Sequence, residues 1–167
     1  MGERSRSRLL GGLLAGVLTA SGALAGCGTD PPPPQATPVA VATNLDDPAA
    51  YAADVVVATN EARAAEGLDD LDVSECAAQA AAERAQALVG VAELTHAPLD
   101  GAMRECGVEQ AAENLSRASA PAHEVVEAWL GSPGHRNNLL DPSLLQIGVA
   151  CVPDADALLC SQVFLGE

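Results

Sequence analysis

The sequence predicts an α+β domain of about 120 residues, preceded by an export signal and a proline-rich linker. Helix signals dominate residues 48–140, and two β-like runs close the chain. Four cysteines in the same region suit an oxidising compartment. Hydrophobic residues make up 49% of the chain but aromatic residues only 2%, so we expect a small-residue, helix-rich core.

The charge of the chain is strongly acidic. Its eight basic residues are all arginines and face 23 Asp and Glu residues. Loss of the export signal leaves a net charge of about −17. Phosphate backbones and anionic lipid surfaces repel such a protein, which argues against nucleic acid as a partner and favours cations.

Residues 1–26 are typical of a secretory signal. An arginine-rich start precedes an apolar run from Leu9 to Leu24, which is short for a bilayer span of ~20 residues. The box Leu24-Ala25-Gly26-Cys27 resembles the bacterial lipoprotein signal, which implies cleavage before Cys27 and lipidation of its sulfur. The alternative is ordinary cleavage that leaves a free Cys27 thiol, and cysteine parity disfavours it because Cys27 would be the odd one of five.

Residues 27–47 are predicted to be a linker. They contain the tract Pro31-Pro32-Pro33-Pro34, which favours an extended polyproline conformation rising ~3.1 Å per residue. We therefore expect a monomeric domain outside the cytoplasm, held at the cell membrane only by the lipid on Cys27.

Five helices are predicted from periodicity and end signals. Asp47 suits an N-cap with Pro48 in the first position, and Gly107 suits a helix stop. Ser132 suits an N-cap followed by Pro133. The predicted spans are 48–66, 72–89 with a capping box from Asp72 to Glu75, 100–106, 121–130 and 133–140.

Residues 145–152 and 157–165 predict a terminal β-hairpin. Antiparallel partners about a turn centred between residues 155 and 156 place Cys151 opposite Cys160, at a separation that a disulfide accepts. The same register pairs Ile147 with Phe164. Elimination then pairs Cys76 with Cys106, which is one of three connectivities open to four cysteines.

Short motifs follow one another along residues 49–167 in a recognisable order: Asn60-Glu61-Ala62-Arg63, Glu113-Asn114-Leu115, Trp129, Ser132-Pro133-Gly134-His135-Arg136, Ile147-Gly148-Val149 and Gln162-Val163-Phe164. Together they resemble the bacterial branch of the CAP superfamily, which includes cysteine-rich secretory, antigen 5 and plant pathogenesis-related proteins. The resemblance implies a CAP (SCP-like) domain over residues 48–167. It implies an α-β-α sandwich with a small antiparallel sheet between helical layers, and a strand near residues 114–118.

The resemblance also implies a cleft lined by two histidines and two acidic residues. His96, Glu113 and His135 match three of these positions. The fourth is in question because Ser132 stands where many eukaryotic members carry Glu, and neither Glu124 nor Glu127 matches that position.

Two imidazoles and a carboxylate suit a divalent cation such as zinc. His135 lies in the first turn of its helix, where the helix dipole is expected to keep the ring neutral. The alternative is a hydrogen-bonded pair of histidines that holds no metal. His123 is expected at a solvated helix end, and Trp129 is expected to anchor the core.

Two functions fit this sequence. The first is an exported, membrane-tethered, non-enzymatic binding domain whose cleft holds a divalent cation and a small lipid or envelope ligand. The second is a metal-dependent hydrolase in which Glu113, with His96 and His135, activates a metal-bound water.

Overall fold

The computed structural model describes residues 44–167, so the predicted signal, Cys27 and most of the predicted linker lie outside the described residues. Helices and short strands come first, and the two longest strands end the chain. The elements are α1 (Pro48–Ala65), β1 (Asp72–Val73), α2 (Glu75–Leu88), α3 (Asp100–Cys106), β2 (Gln110–Ala118), α4 (Ala122–Leu130), α5 (Pro133–Leu139), β3 (Leu144–Asp154) and β4 (Ala157–Gly166).

The four strands form one sheet in the order β1-β3-β4-β2. β4 pairs antiparallel with β3 on one side and with β2 on the other. β2 is longer than the segment 114–118 that the family resemblance implied. The predicted α+β class is confirmed, although the sheet is not purely antiparallel because β1 pairs in parallel with β3.

The strand β1 corrects the predicted start of the second helix. Asp72 and Val73 pair with Gln146 and Ile147 instead of opening a helix. Ser74 is the true N-cap, and its hydroxyl accepts a hydrogen bond from the amide of Ala77 at 3.3 Å. The predicted capping box from Asp72 is therefore wrong by two residues.

Helices cover both faces of the sheet. On one face, α1 and α4 pack against Phe164, Ile147 and Cys160. On the other face, Ala77 and Ala81 of α2 pack against Val163 and Leu165 of β4. Neighbouring residues of β4 point to opposite faces, so the chain builds the predicted α-β-α sandwich.

Gly148 allows α2 to lie close to β3. A Cβ atom at this position would overlap the backbone of Ala77 and Ala78. Any side chain here would push the helix away from the sheet.

The terminal hairpin has the predicted register. Cys151 pairs with Cys160 and Ile147 with Phe164, around a turn at Ala155 and Asp156. Both predicted disulfides are confirmed: Cys151–Cys160, with a Cα–Cα distance of 4.1 Å, staples the hairpin, and Cys76–Cys106 joins α2 to α3.

The other predicted helices agree with the structure to within one residue at each end. Ser132 stands at the N-cap position of α5, but its side chain makes no capping hydrogen bond. Among residues 44–167, no helix is long and apolar enough to cross a membrane.

Candidate functional site

Glu113 lies at the centre of the candidate site. It belongs to β2, and only 5% of its surface is exposed. Its neighbour in the site is His96, whose Nδ1 lies 2.9 Å from Glu113 Oε2. The side chain of His96 is 56% exposed, so one edge of the imidazole faces solvent.

Two further side chains complete the surroundings of the Glu113 carboxylate. Arg84 of α2 donates from Nε to Oε1 at 2.9 Å and from Nη2 to Oε2 at 3.4 Å. Ser161 of β4 donates its hydroxyl to Oε1 at 3.0 Å. With His96, each carboxylate oxygen has two hydrogen-bonding contacts, so the buried charge is paired and its four lone-pair positions are engaged.

The loop that carries His96 is fastened at two points. Arg84 Nη2 donates to the carbonyl of Thr95 at 2.9 Å, next to His96. Nearer the start of the loop, Arg117 is paired with Asp154 and donates to the carbonyl of Val91 at 2.6 Å. These contacts hold the imidazole over the carboxylate.

His135 approaches from α5. Its ring centroid lies 6.4 Å from that of Trp129. Burial is the main factor that lowers the pKa of the His135 imidazole below its ordinary value, and the nearby His96 lowers it further. A lowered pKa favours the neutral ring, which is the direction that the helix position of His135 predicted.

The segment of α5 that carries His135 is tied to β2 by buried amides. Asn138 Nδ2 donates to the carbonyl of Glu113 at 3.1 Å and to Asn114 Oδ1 at 3.0 Å. Asn114 in turn donates to Gln162 Oε1 at 3.1 Å, and Gln162 donates to Thr59 at 2.8 Å. This chain of amides links α5 through the sheet to α1.

The structure therefore joins His96 to Glu113 directly. His96 contributes to the lowered pKa of His135, but no described hydrogen bond joins the His135 ring to His96 or to Glu113. Within residues 44–167, no three His, Cys, Asp or Glu side chains are grouped so as to hold a metal ion. The Glu113 carboxylate does not fit the role of a ligand, because Arg84, Ser161 and His96 already take its lone pairs. A divalent cation in this cleft stays a prediction, and the contacts favour the hydrogen-bonded alternative.

Glu113 has instead the contacts of a group that orients His96. A carboxylate in contact with Nδ1 fixes the orientation of an imidazole. Nε2 of His96 makes no hydrogen bond among the described contacts.

Sequence reasoning missed Arg84 and Ser161. The signal for Arg84 was its helix position, because Ala77, Ala81, Ala85 and Leu88 form the buried face of α2 and Arg84 lies beside that face. A lone arginine among buried alanines requires an acidic partner. Ser161 had no comparable signal, since its role depends on strand pairing.

The remaining predicted roles agree with the structure. Trp129 is buried, and its indole N–H donates to the carbonyl of Leu115 at 3.1 Å. His123, Glu124 and Glu127 are exposed on α4, and no described contact joins them to the Glu113 site.

A second candidate binding feature is an apolar groove of about 790 Å³. It borders α1, β1, the start of α2 and the middle of β3. Val57 and Val73, which are 57% and 74% exposed, lie in its lining. Other small apolar residues complete the lining, including Ala53, Val56 and Val149.

The chain is similar to known proteins. Residues 56–164 match the CAP family, described as the cysteine-rich secretory protein family. The chain belongs to this family. A relative described as the uncharacterised protein YkwD of Bacillus subtilis (strain 168) is 32% identical over 126 residues, which cover 71% of this chain and 48% of that protein. The chain thus spans about half the length of this curated relative.

Two solved structures share the CAP fold. A cysteine-rich secretory protein from Staphylococcus aureus has a TM-score of 0.64 at 22% identity, covering 73% of this chain and 40% of that one. An extracellular SCP-domain protein from Bacillus anthracis has a TM-score of 0.62 at 21% identity, covering 71% of this chain and 41% of that one. At these identities the likeness establishes the fold.

Proposed function

We propose that this CAP protein is an exported, membrane-tethered binding domain without catalytic activity, which takes a small lipid or another apolar envelope ligand. Two observations together carry the proposal. The Glu113 carboxylate has its hydrogen-bonding positions filled by protein groups, and a separate apolar groove is open to solvent. The Glu113 oxygens are engaged by Arg84, Ser161 and His96, whereas the groove beside α1 presents exposed valines.

The hydrogen bonds of the Glu113 carboxylate support a binding function over hydrolysis. A general base must have a lone pair within hydrogen-bond reach of the water that it activates. Glu113 is 5% exposed and its oxygens already accept hydrogen bonds from protein donors. No described contact favours the hydrolase in which Glu113 would activate water.

The groove supports an apolar ligand. Its volume of about 790 Å³ falls in the range of small-molecule sites, ~300–1,000 Å³. Asp47 is the charged residue of its lining, and the side chain of Asp47 caps α1 by accepting from the amide of Ala50. A ligand in this groove would be held by burial of apolar surface, which is proportional to area and tolerant of chain length.

Export and tethering are supported by the lipoprotein-like box at Cys27 and by the two disulfides, which are typical of oxidising compartments. The extracellular description of the Bacillus anthracis relative agrees with this location. A divalent cation remains a separate part of the prediction, and it would have to bind through histidine nitrogens or displace a donor from Glu113.

The experiment compares two aspartate variants on the same helix. Ala53 lines the groove and is exposed, and Ala64 is exposed on α1 outside it. Native mass spectrometry of full-length protein, purified from membranes without chelator, is expected to show a bound apolar molecule in wild type and Ala64→Asp. Ala53→Asp is expected to lose at least about nine tenths of it, because an apolar ligand in the groove would bury the new carboxylate.

Equal retention by Ala53→Asp and Ala64→Asp would contradict the groove as the binding site. Turnover of an ester or amide that disappears in a folded Glu113→Gln variant would contradict the absence of catalysis.

A further inference from the structure

We infer that Arg84 is the resident cation of the Glu113 carboxylate and that it excludes a divalent metal from these two oxygens. The inference concerns which ion the site selects, and it is independent of any ligand in the groove.

The geometry of the pair supports this role. Arg84 reaches both carboxylate oxygens in a bidentate arrangement, at 2.9 Å from Nε and 3.4 Å from Nη2. Bidentate Arg–carboxylate contacts are among the strongest hydrogen bonds in proteins. The Glu113 side chain is 2% exposed and that of Arg84 is 18% exposed, so water screens this pair only weakly.

Arg84 is also held from outside the pair. Its Nη2 donates to the carbonyl of Thr95 at 2.9 Å, which fixes the guanidinium against the loop of His96. A metal bound to Glu113 would have to displace a guanidinium that has two protein partners, and would then lie beside its positive charge.

Two donors of the site remain for a metal once the guanidinium is gone. Glu113 Oε2 and His96 Nδ1 lie 2.9 Å apart. Carboxylate oxygen and imidazole nitrogen are both ligand types that zinc accepts.

The test is a set of zinc titrations by calorimetry at pH 7.5 on the full-length protein. Arg84→Met is expected to raise zinc affinity at least about tenfold over wild type, because it removes both a competing partner of Glu113 and a positive charge beside the metal. The gain is expected to disappear in the double variant Arg84→Met, Glu113→Gln. Arg84→Lys is expected to stay at the wild-type level, because it keeps the positive charge.

The matched control is Arg104→Met, which removes the same charge from an exposed position on α3. It is expected to leave zinc affinity unchanged. Three results would overturn the inference: no gain in a folded Arg84→Met protein, an equal gain in Arg104→Met, or a gain that persists without the Glu113 carboxylate. If Arg84→Met does not unfold cooperatively, Arg84→Gln replaces it with the same expected outcomes.

Discussion

At the scale of single residues, buried arginines connect elements that are distant in sequence. Arg63 is 3% exposed, and its guanidinium donates to main-chain carbonyls, among them Leu139 at 2.9 Å and Asp141 at 3.0 Å. Desolvation by burial lowers its pKa. Arg63 ties α1 to the segment between α5 and β3, just as Arg84 ties α2 to β2.

Asp141 makes the stability of the segment between α5 and β3 depend on pH. The hydroxyl and the amide of Ser143 both donate to Oδ1, at 2.6 and 2.8 Å, and these hydrogen bonds lower the pKa of Asp141. A carboxyl with a lowered pKa in the folded state stabilises the protein above its ordinary pKa, near 3.9. That stabilisation is lost as the pH falls through the lowered value.

We therefore expect Asp141→Asn to lower the free energy of unfolding by about 1 kcal/mol at pH 7 and by less as the pH falls below 3. Urea unfolding at pH 7 and at pH 2.5 measures the two differences. The control is Asp156→Asn in the exposed hairpin turn, which has no side-chain hydrogen bond among the described contacts. A loss of equal size at both pH values in Asp141→Asn would refute this origin of the acid sensitivity.

At the scale of elements, the contact between α2 and β3 sets the thickness of the sandwich. The contact depends on Gly148, where any Cβ would meet the backbone of α2. Backbone atoms cannot rotate away as a side chain can, so the helix itself must shift. That shift would also move Arg84, which α2 carries to Glu113.

Gly148→Ala is expected to cost about 3 kcal/mol or more, because overpacking here forces backbone displacement. Gly134→Ala in α5 is the matched control, since a Cβ there meets nothing within 4 Å. It is expected to be neutral or to stabilise by up to about 1 kcal/mol, as alanine favours helix. Urea midpoints of the two variants test this, and similar midpoints would show that α2 is not held against Gly148.

Some of the helices and strands could be predicted from the sequence, and others could not. The hairpin register was predictable because Cys151 and Cys160 lie at equal distances from the turn. Strand β1 was missed because two residues carry no periodic pattern, and only its pairing with Gln146 and Ile147 makes it a strand. Local signals predicted helix ends, while the sheet order depends on contacts distant in sequence.

The same distinction holds for the candidate site. His96, Glu113 and His135 were found by family motifs, since nothing in their spacing brings them together. Arg84 lies 29 residues from Glu113 and Ser161 lies 48 residues from it, so their contacts exist only once α2 and β4 are packed. Without them the carboxylate looked available for metal, which is why the sequence favoured a cation.

At the scale of the whole molecule, the net charge would repel the protein from the membrane, whereas the proposed lipid anchor would hold it there. A net charge of about −17 after loss of the signal would repel the domain from an anionic membrane surface. The proposed lipid on Cys27 would hold the chain at the membrane against this repulsion.

Membrane tethering through Cys27 is tested by the intact mass of the mature protein in each cell fraction. We predict a chain that begins at Cys27, carries the added mass of its acyl groups and is recovered with membranes. Cys27→Ser is predicted to move to the soluble fraction with unchanged thermal unfolding. A wild-type protein found soluble, with an unmodified Cys27 or with cleavage elsewhere, would contradict lipid tethering.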